Sequence, residues 1–135
     1  MRQTMEAIKK KKENKEKAVI LAIDDKPEIL ATLTEMLDGV YTVIGATSYR
    51  SATAIMERRT PDLFLLDIEM PDVDGYDIAA LIRANDDFRH IPILFLTGNA
   101  TKGAVVKAAE SGGSAYIIKP VRRGILLRKI RQYLS

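Results

Sequence analysis

Apolar residues in this chain fall into two alternating patterns. Ala18 to Ile23, Leu63 to Leu66 and Ile91 to Leu96 are nearly continuous apolar runs, while Tyr41 to Thr47 is rich in aromatic and β-branched residues and Ser114 to Ile118 reads as a fifth strand. Runs without polar alternation fit strands buried on both faces, as in the centre of a parallel sheet. Between them, apolar positions recur at helical spacing. Pro27 suits a first helical turn, followed by Ile29, Leu30, Leu33 and Leu37 up to Gly39. Ser48 is placed to cap a helix carrying Ala52, Ile55 and Met56. Asp74 or Gly75 opens a third, with Ile78, Leu81 and Ile82 on one face. Ala100 to Ser111 reads as a fourth, stopped by Gly112-Gly113. Pro120 is expected to open the last, with Ile125, Leu126, Ile130 and Leu134 inward and Arg122, Arg123, Arg128, Lys129 and Arg131 outward.

Five strands alternating with five helices predict an α/β fold with a parallel sheet covered on both faces. Right-handed crossovers make strand order 2-1-3-4-5 the simplest doubly wound solution. The order reverses between strands 1 and 3, and ligands in such sheets bind outside the carboxyl ends of the strands. Strand 1 ends in Asp24-Asp25, strand 3 in Asp67, strand 4 in Thr97 and strand 5 in Lys119. One cleft thus receives three carboxylates, a hydroxyl and an ammonium.

Composition narrows what that cleft can do. Nearly half of the 135 residues are hydrophobic and 29% are charged, enough for one globular core. Cysteine is absent, which removes disulfides and thiolate chemistry. No apolar run approaches a membrane span and no signal-peptide pattern opens the chain, so a soluble, cytoplasmic protein is expected. Residues 1–17 carry seven Lys/Arg against three Glu, while the remainder sits near −1. The excess positive charge therefore belongs to a basic tail, residues 1–17, read as a flexible terminus ahead of one domain at 18–135. A nucleic-acid binder would rest on that tail and the last helix alone, and is not expected of the domain.

Three ionised carboxylates repel one another by ~4 kcal/mol per pair at about 4 Å and an effective dielectric near 20. A cation is the natural remedy. With oxygen ligands and His90 far from the strand ends, Mg²⁺ fits better than Zn²⁺, with Mn²⁺ an alternative. Lys119 and Thr97 supply what phosphoryl oxygens need, and a carboxylate can itself be the nucleophile. The site reads as one for phosphoryl transfer onto Asp67. Rival nucleotide sites lack their signatures, since neither G-x-G-x-x-G nor G-x-x-x-x-G-K-[ST] occurs. A haloacid-dehalogenase-like phosphatase would want Asp where Lys26 stands, and a flavin-phosphate loop would not hold two acids.

The pair Asp24-Asp25, the block D-x-x-M-P-x-x-D-G from Asp67 to Gly75, Thr97 with Gly98, and Lys119-Pro120 together resemble the receiver domain of two-component response regulators. The resemblance runs from about Ala18 to Leu134 and implies a flavodoxin-like (βα)5 sandwich. It implies Asp67 as phosphoacceptor, with Mg²⁺ held by Asp25, Asp67 and the backbone carbonyl of Glu69, and by Asp24 through water. Lys119 would contact the phosphoryl group, Thr97 would hydrogen-bond it, and Tyr116 matches the switch aromatic. The implied donor is a histidine kinase, a histidine phosphotransfer protein or a small acyl phosphate. The implied output is a partner or domain, or a second copy of the chain, met by the face of the fourth helix, fifth strand and fifth helix. Such a domain is no enzyme beyond its own phosphorylation and dephosphorylation. A degenerate, unphosphorylated receiver serving as a binding module is the alternative. The chain departs from the family's common pattern in G-G-S-A-Y before strand 5, in Glu69 and Asn99 at positions that tune dephosphorylation, and in its basic last helix.

Overall fold

The computed structural model describes residues 17–134, and the basic-tail reading falls on residues outside that range apart from Lys17. Five strands, β1 (Val19–Ile23), β2 (Thr42–Ala46), β3 (Leu63–Asp67), β4 (Ile93–Thr97) and β5 (Ala115–Ile118), form one sheet in the order β2-β1-β3-β4-β5. All four pairings are parallel. The helices are α1 (Pro27–Leu37), α2 (Tyr49–Arg58), α3 (Gly75–Ala84), α4 (Lys102–Glu110) and α5 (Arg123–Tyr133). The fold is the expected doubly wound, flavodoxin-like sandwich.

The unbroken apolar runs have a direct physical cause. Successive strand residues point to opposite faces, and here both faces are covered. Leu21, Ile23, Phe64, Leu66, Ile93 and Phe95 pack with residues of α2, α3 and α4. Ile20, Ala22, Leu63, Leu65, Leu94 and Leu96 pack with those of α1 and α5. Each fully buried Leu, Ile or Phe side chain stabilises the fold by roughly 1.5–3 kcal/mol relative to exposure. This central sheet is the rigid frame on which the strand-end loops are mounted.

Helix starts are fixed by short polar signals. Ser48 and Ser51 form a reciprocal capping box at α2, with Ser51 N–H donating to Ser48 Oγ at 3.1 Å and Ser48 N–H to Ser51 Oγ at 3.2 Å. Asp74 caps α3 by accepting from Asp77 N–H at 2.9 Å. Gly112, at φ +100°, turns the chain after α4 in a conformation that L side chains rarely adopt.

Three details differ from the expected pattern. Pro120 does not open the last helix. Sheet hydrogen bonding runs on through Lys119 N–H to Thr97 O at 2.7 Å, and the chain uses Pro120 to Arg122 to turn back before α5 begins at Arg123. The buried arc of α5 then carries Leu126, Leu127 and Ile130 and leaves Ile125 exposed. Likewise Ile78, Ala79 and Ile82 form the buried arc of α3, and Leu81, one helical step off it, is exposed.

Candidate functional site

β1, β3, β4 and β5 end at one rim of the sheet, and each delivers a polar residue just at or after its last paired position. Asp24, immediately past β1, is completely buried, and Asp67 closes β3 at 1% exposure. Lys119 follows β5 and reaches across the rim. Its ammonium donates to Asp67 Oδ1 at 2.8 Å and to Asp24 Oδ2 at 3.3 Å. Asp24 Oδ1 meanwhile accepts Lys26 N–H at 2.9 Å, which holds the turn into α1. Asp24 therefore both braces the helix entry and faces the site. Glu69 N–H points at Asp67 Oδ1 at 3.4 Å, too long for a strong bond.

Asp25 completes the acidic group. Asp24, Asp25 and Asp67 each present an oxygen within 4.8 Å of the other two. Asp25 Oδ1 is buried and has no hydrogen-bond partner among the described residues. A buried carboxylate oxygen without a partner is costly, and a cation is the simplest group that would satisfy it. Three carboxylates share one ammonium, which leaves a formal deficit of two positive charges. The oxygen-only donor set suits a hard divalent ion. The residues present therefore fit Mg²⁺.

The electrostatics point the same way. Burial pushes the Asp67 carboxyl above its ordinary value and the negative charge of Asp24 adds to this, against the hydrogen bond from Lys119. Burial works to lower the Lys119 ammonium. The hydrogen bond and charge of Asp67, with the charge and hydrogen bond of Asp24, outweigh it and hold Lys119 above its ordinary value. Lys119 is thus firmly cationic at neutral pH.

Local backbone geometry keeps Asp67 in place. Gly75 N–H donates to Ile68 O at 2.9 Å, which folds the loop after β3 back onto the strand end. A Cβ on Gly75 would stand 2.5 Å from Asp67 O and 2.7 Å from Ile68 Cα. Glycine is needed there for room, since its φ is not in the left-handed region.

The remaining expected residues are close in the fold but engaged elsewhere. Thr97 is buried at the end of β4, and its hydroxyl accepts Asn99 N–H at 2.9 Å and donates to Asn99 O at 3.2 Å. Among the described residues the hydroxyl makes no hydrogen bond to Asp67 or Lys119. Tyr116 lies beside Phe95 across the β4–β5 pairing and is half-buried against the core between α4 and α5. The Glu69 side chain is exposed, and a Cβ on Gly98 would stand 3.8 Å from its Oε1.

Arg83 is a supporting residue that the sequence pattern concealed. Its guanidinium donates to Gly112 O, Arg89 O and Ile91 O at 2.9, 2.9 and 2.7 Å, tying α3 to the starts of β4 and β5. Burial lowers its pKa from the ordinary value. An arginine at the edge of an amphipathic helix reads as solvated, and no local signal marks three distant carbonyls as its partners.

Comparison with known proteins agrees with the geometry. The family model described as the response regulator receiver domain matches residues 20–131. The DNA-binding response regulator MtrA of Mycolicibacterium smegmatis is 34% identical over 117 residues, which are 85% of this chain and 50% of MtrA. The chemotaxis protein CheY4 of Vibrio cholerae superposes with a TM-score of 0.83 at 26% identity, over 87% of this chain and 99% of that one. The receiver domain of a sensor histidine kinase from Pseudomonas aeruginosa, solved with a magnesium ion coordinated in its active-site cleft, gives a TM-score of 0.78 at 30% identity, over 87% and 98%. The chain spans half or less of the full length of the first curated relatives it matches. Among the described residues no helix is long and apolar enough to cross a membrane.

Proposed function

The chain belongs to the response regulator receiver domain family, and from that premise we propose that it accepts a phosphoryl group on Asp67 from a histidine kinase or a histidine phosphotransfer protein in the cytoplasm. The observation that carries this reading is the meeting of Asp67 with Lys119 at 2.8 Å beside Asp24 and Asp25 at the sheet's switch point.

Asp67 Oδ1 is held by Lys119, and Oδ2 has no hydrogen-bond partner among the described residues, so Oδ2 is the oxygen free to attack. In the transfer, a bond forms from Oδ2 to phosphorus. The phosphorus–nitrogen bond of the donor phosphohistidine breaks, and its electron pair stays on the imidazole. Asp25, Asp67 and the backbone carbonyl of Glu69 would hold Mg²⁺, with Asp24 reaching it through water. When bound, the ion neutralises charge that develops on the phosphoryl oxygens. Lys119 orients the carboxylate beforehand and is close enough to follow the phosphoryl group once Asp67 is esterified.

Output follows from a two-state rearrangement. The Thr97 hydroxyl, now on Asn99, would exchange that partner for a phosphoryl oxygen. The shift frees space at the end of β4, and Tyr116 turns toward it, which alters the α4–β5–α5 surface read by a partner protein or output domain. Catalysis is confined to the chain's own phosphorylation and dephosphorylation.

Intact-mass spectrometry tests the reading. After incubation with acetyl phosphate, a gain of one phosphoryl group is expected in wild type only when Mg²⁺ is present, and in Asp67→Asn never. Equal modification of Asp67→Asn would remove Asp67 as acceptor. A wild type that no donor modifies, a phosphotransfer protein included, would overturn the function.

A further inference from the structure

The two edges of the sheet are defended differently. At one, β5 runs directly into Lys119 and Pro120, a cation and a residue without an amide donor, both of which deter a further strand. At the other lies β2, inside a stretch from Gly39 to Tyr49 that carries no charged residue and no proline. Thr42 N–H donates to Ala18 O at 2.9 Å and Ala46 O accepts Asp24 N–H at 3.1 Å, so Thr42, Ile44 and Ala46 turn their backbone groups toward β1. Alternation then turns those of Val43 and Gly45 outward, away from the sheet. Neither residue takes a backbone hydrogen bond from a turn, loop or cap among the described residues.

The helix beside this edge also leaves room. α1 packs Leu30, Leu33 and Leu37 inward, and its α5 side is marked by Met36, whose carbonyl accepts from Arg123 at 3.0 Å. The opposite flank, toward the free edge, carries Ala31, Thr34 and Asp38, all exposed. Gly45 lets α1 sit low on β2, since a Cβ there would stand 3.2 Å from Leu30 Cδ1. Ile44 points to the other face, where it is half-buried against the core beneath α2.

We propose that β2 pairs with β2 of a second copy of this chain, antiparallel and about a two-fold axis at Ile44, so that the sheet continues from one molecule into the other. The inference goes beyond the phosphoryl-transfer reading and does not depend on it. In this register Val43 faces the second copy's Gly45 and exchanges both backbone hydrogen bonds with it, and Gly45 does the same with the second copy's Val43. Ile44 meets its own counterpart at a non-hydrogen-bonded position, where side chains come closest. The nearest charges along the chain, Asp38 before and Arg50 after, stand at equal spacing from Ile44. Antiparallel pairing turns Asp38 toward the end where the second copy carries Arg50, whereas parallel addition sets like charge beside like. Because α1 bridges the neighbouring strands β1 and β2, the two copies of α1 come to lie two strand spacings, roughly 10 Å, apart. That is an ordinary helix-packing distance, and Ala31 and Thr34 are small enough to permit it. An unrelated peptide strand would satisfy the backbone groups but leave the charge match and the flank of α1 unused. Each copy has one such edge, so the assembly closes at a dimer, with Asp67 and the β5 edge of both molecules uncovered.

Sedimentation equilibrium of the full chain, together with amide hydrogen exchange at low and high protein concentration, tests the proposal. A dimer is expected, with exchange at Val43 and Gly45 slowing as concentration rises and exchange at Ile118 unchanged. Asp67→Asn should dimerise as wild type does. Ala31→Arg sets a long cation between the two α1 helices and should weaken association about tenfold or more. Val43→Pro removes a donor that the monomer does not use and should weaken it to a similar degree, in an edge position that accommodates proline. Circular dichroism checks the fold of both variants, and Ala31→Arg, at an exposed helical position, carries the test by itself where Val43→Pro does not fold. A chain that stays monomeric up to about 1 mM, assemblies larger than a dimer, protection confined to the β5 edge, or association unchanged in either folded variant would each overturn the proposal.

Discussion

Replacing Asp67 by Asn should make the protein more stable once divalent metal is chelated away. The oxygens of Asp24 and Asp25 lie within 4.8 Å of an Asp67 oxygen, and at an effective dielectric near 20 each such pair costs ~3.5 kcal/mol. Against these two repulsions stands one attraction, Lys119 at 2.8 Å, worth ~6 kcal/mol on the same scale. The balance is ~1 kcal/mol of net repulsion, and dehydration of a carboxylate only 1% exposed has the same sign. Asn keeps the shape and an acceptor for Lys119 but carries no charge. A gain of ~1–2 kcal/mol, or roughly 3–8 °C in Tm, is expected at neutral pH. The pH dependence follows from the raised pKa of Asp67. Well below the ordinary carboxyl value of 3.8 the group is protonated in folded and unfolded chains alike, and the variant has no advantage. As pH rises, the unfolded chain ionises first, the folded chain binds more protons, and wild-type stability falls until the folded pKa is passed. The advantage of Asp67→Asn should therefore open above about pH 4 and widen until the raised pKa of the folded state is passed. Urea denaturation in chelator across this range measures it. Mg²⁺ at ten times its Kd should return ~1.4 kcal/mol to wild type and much less to the variant. A variant less stable than wild type at neutral pH, or an advantage that grows toward acid, would refute the electrostatic account.

Three further substitutions test other parts of the site. Lys119→Ala leaves Asp24 and Asp67 buried without their ammonium; it should cost ~3 kcal/mol in chelator and regain part of it with Mg²⁺, and amide shifts on phosphorylation should shrink at Tyr116. Undiminished shifts in that variant would count against the switch role of Lys119. Gly75→Ala sets a methyl 2.5 Å from Asp67 O; a loss of ~1–3 kcal/mol despite better helix propensity, with slower phosphoryl uptake, is expected by denaturation and intact mass. Arg83→Leu removes the donor for three carbonyls and should cost ~1–3 kcal/mol in urea while phosphoryl uptake at Asp67 stays unchanged.

Much of this architecture was legible in the linear pattern because parallel strands buried on both faces leave an unmistakable trace. Leu63 to Leu66 can only be satisfied by cover on both sides, and strict strand–helix alternation then permits few topologies. The positions of Asp24, Asp67, Thr97 and Lys119 at strand ends followed from that order. Less local matters were not legible. The phase of α5 depended on where the chain leaves the sheet, so Leu127 rather than Ile125 is buried. The hydrogen bonds of Arg83 join segments that share no sequence signal.

The order of amino acids by itself determined which residues form the sheet, in what order the strands lie, and which functional groups stand at their carboxyl ends, since each depends on local periodicity and chirality. Tertiary structure alone decided the distances. Lys119 touches two carboxylates that are 95 and 52 residues away in the chain, Thr97 turns its hydroxyl to Asn99, and Asp25 keeps a buried oxygen without a partner among the described residues. Contacts of that separation carry no local preference. They form only because the packed core offsets the entropy of closing such long loops and fixes the strand ends beside one another.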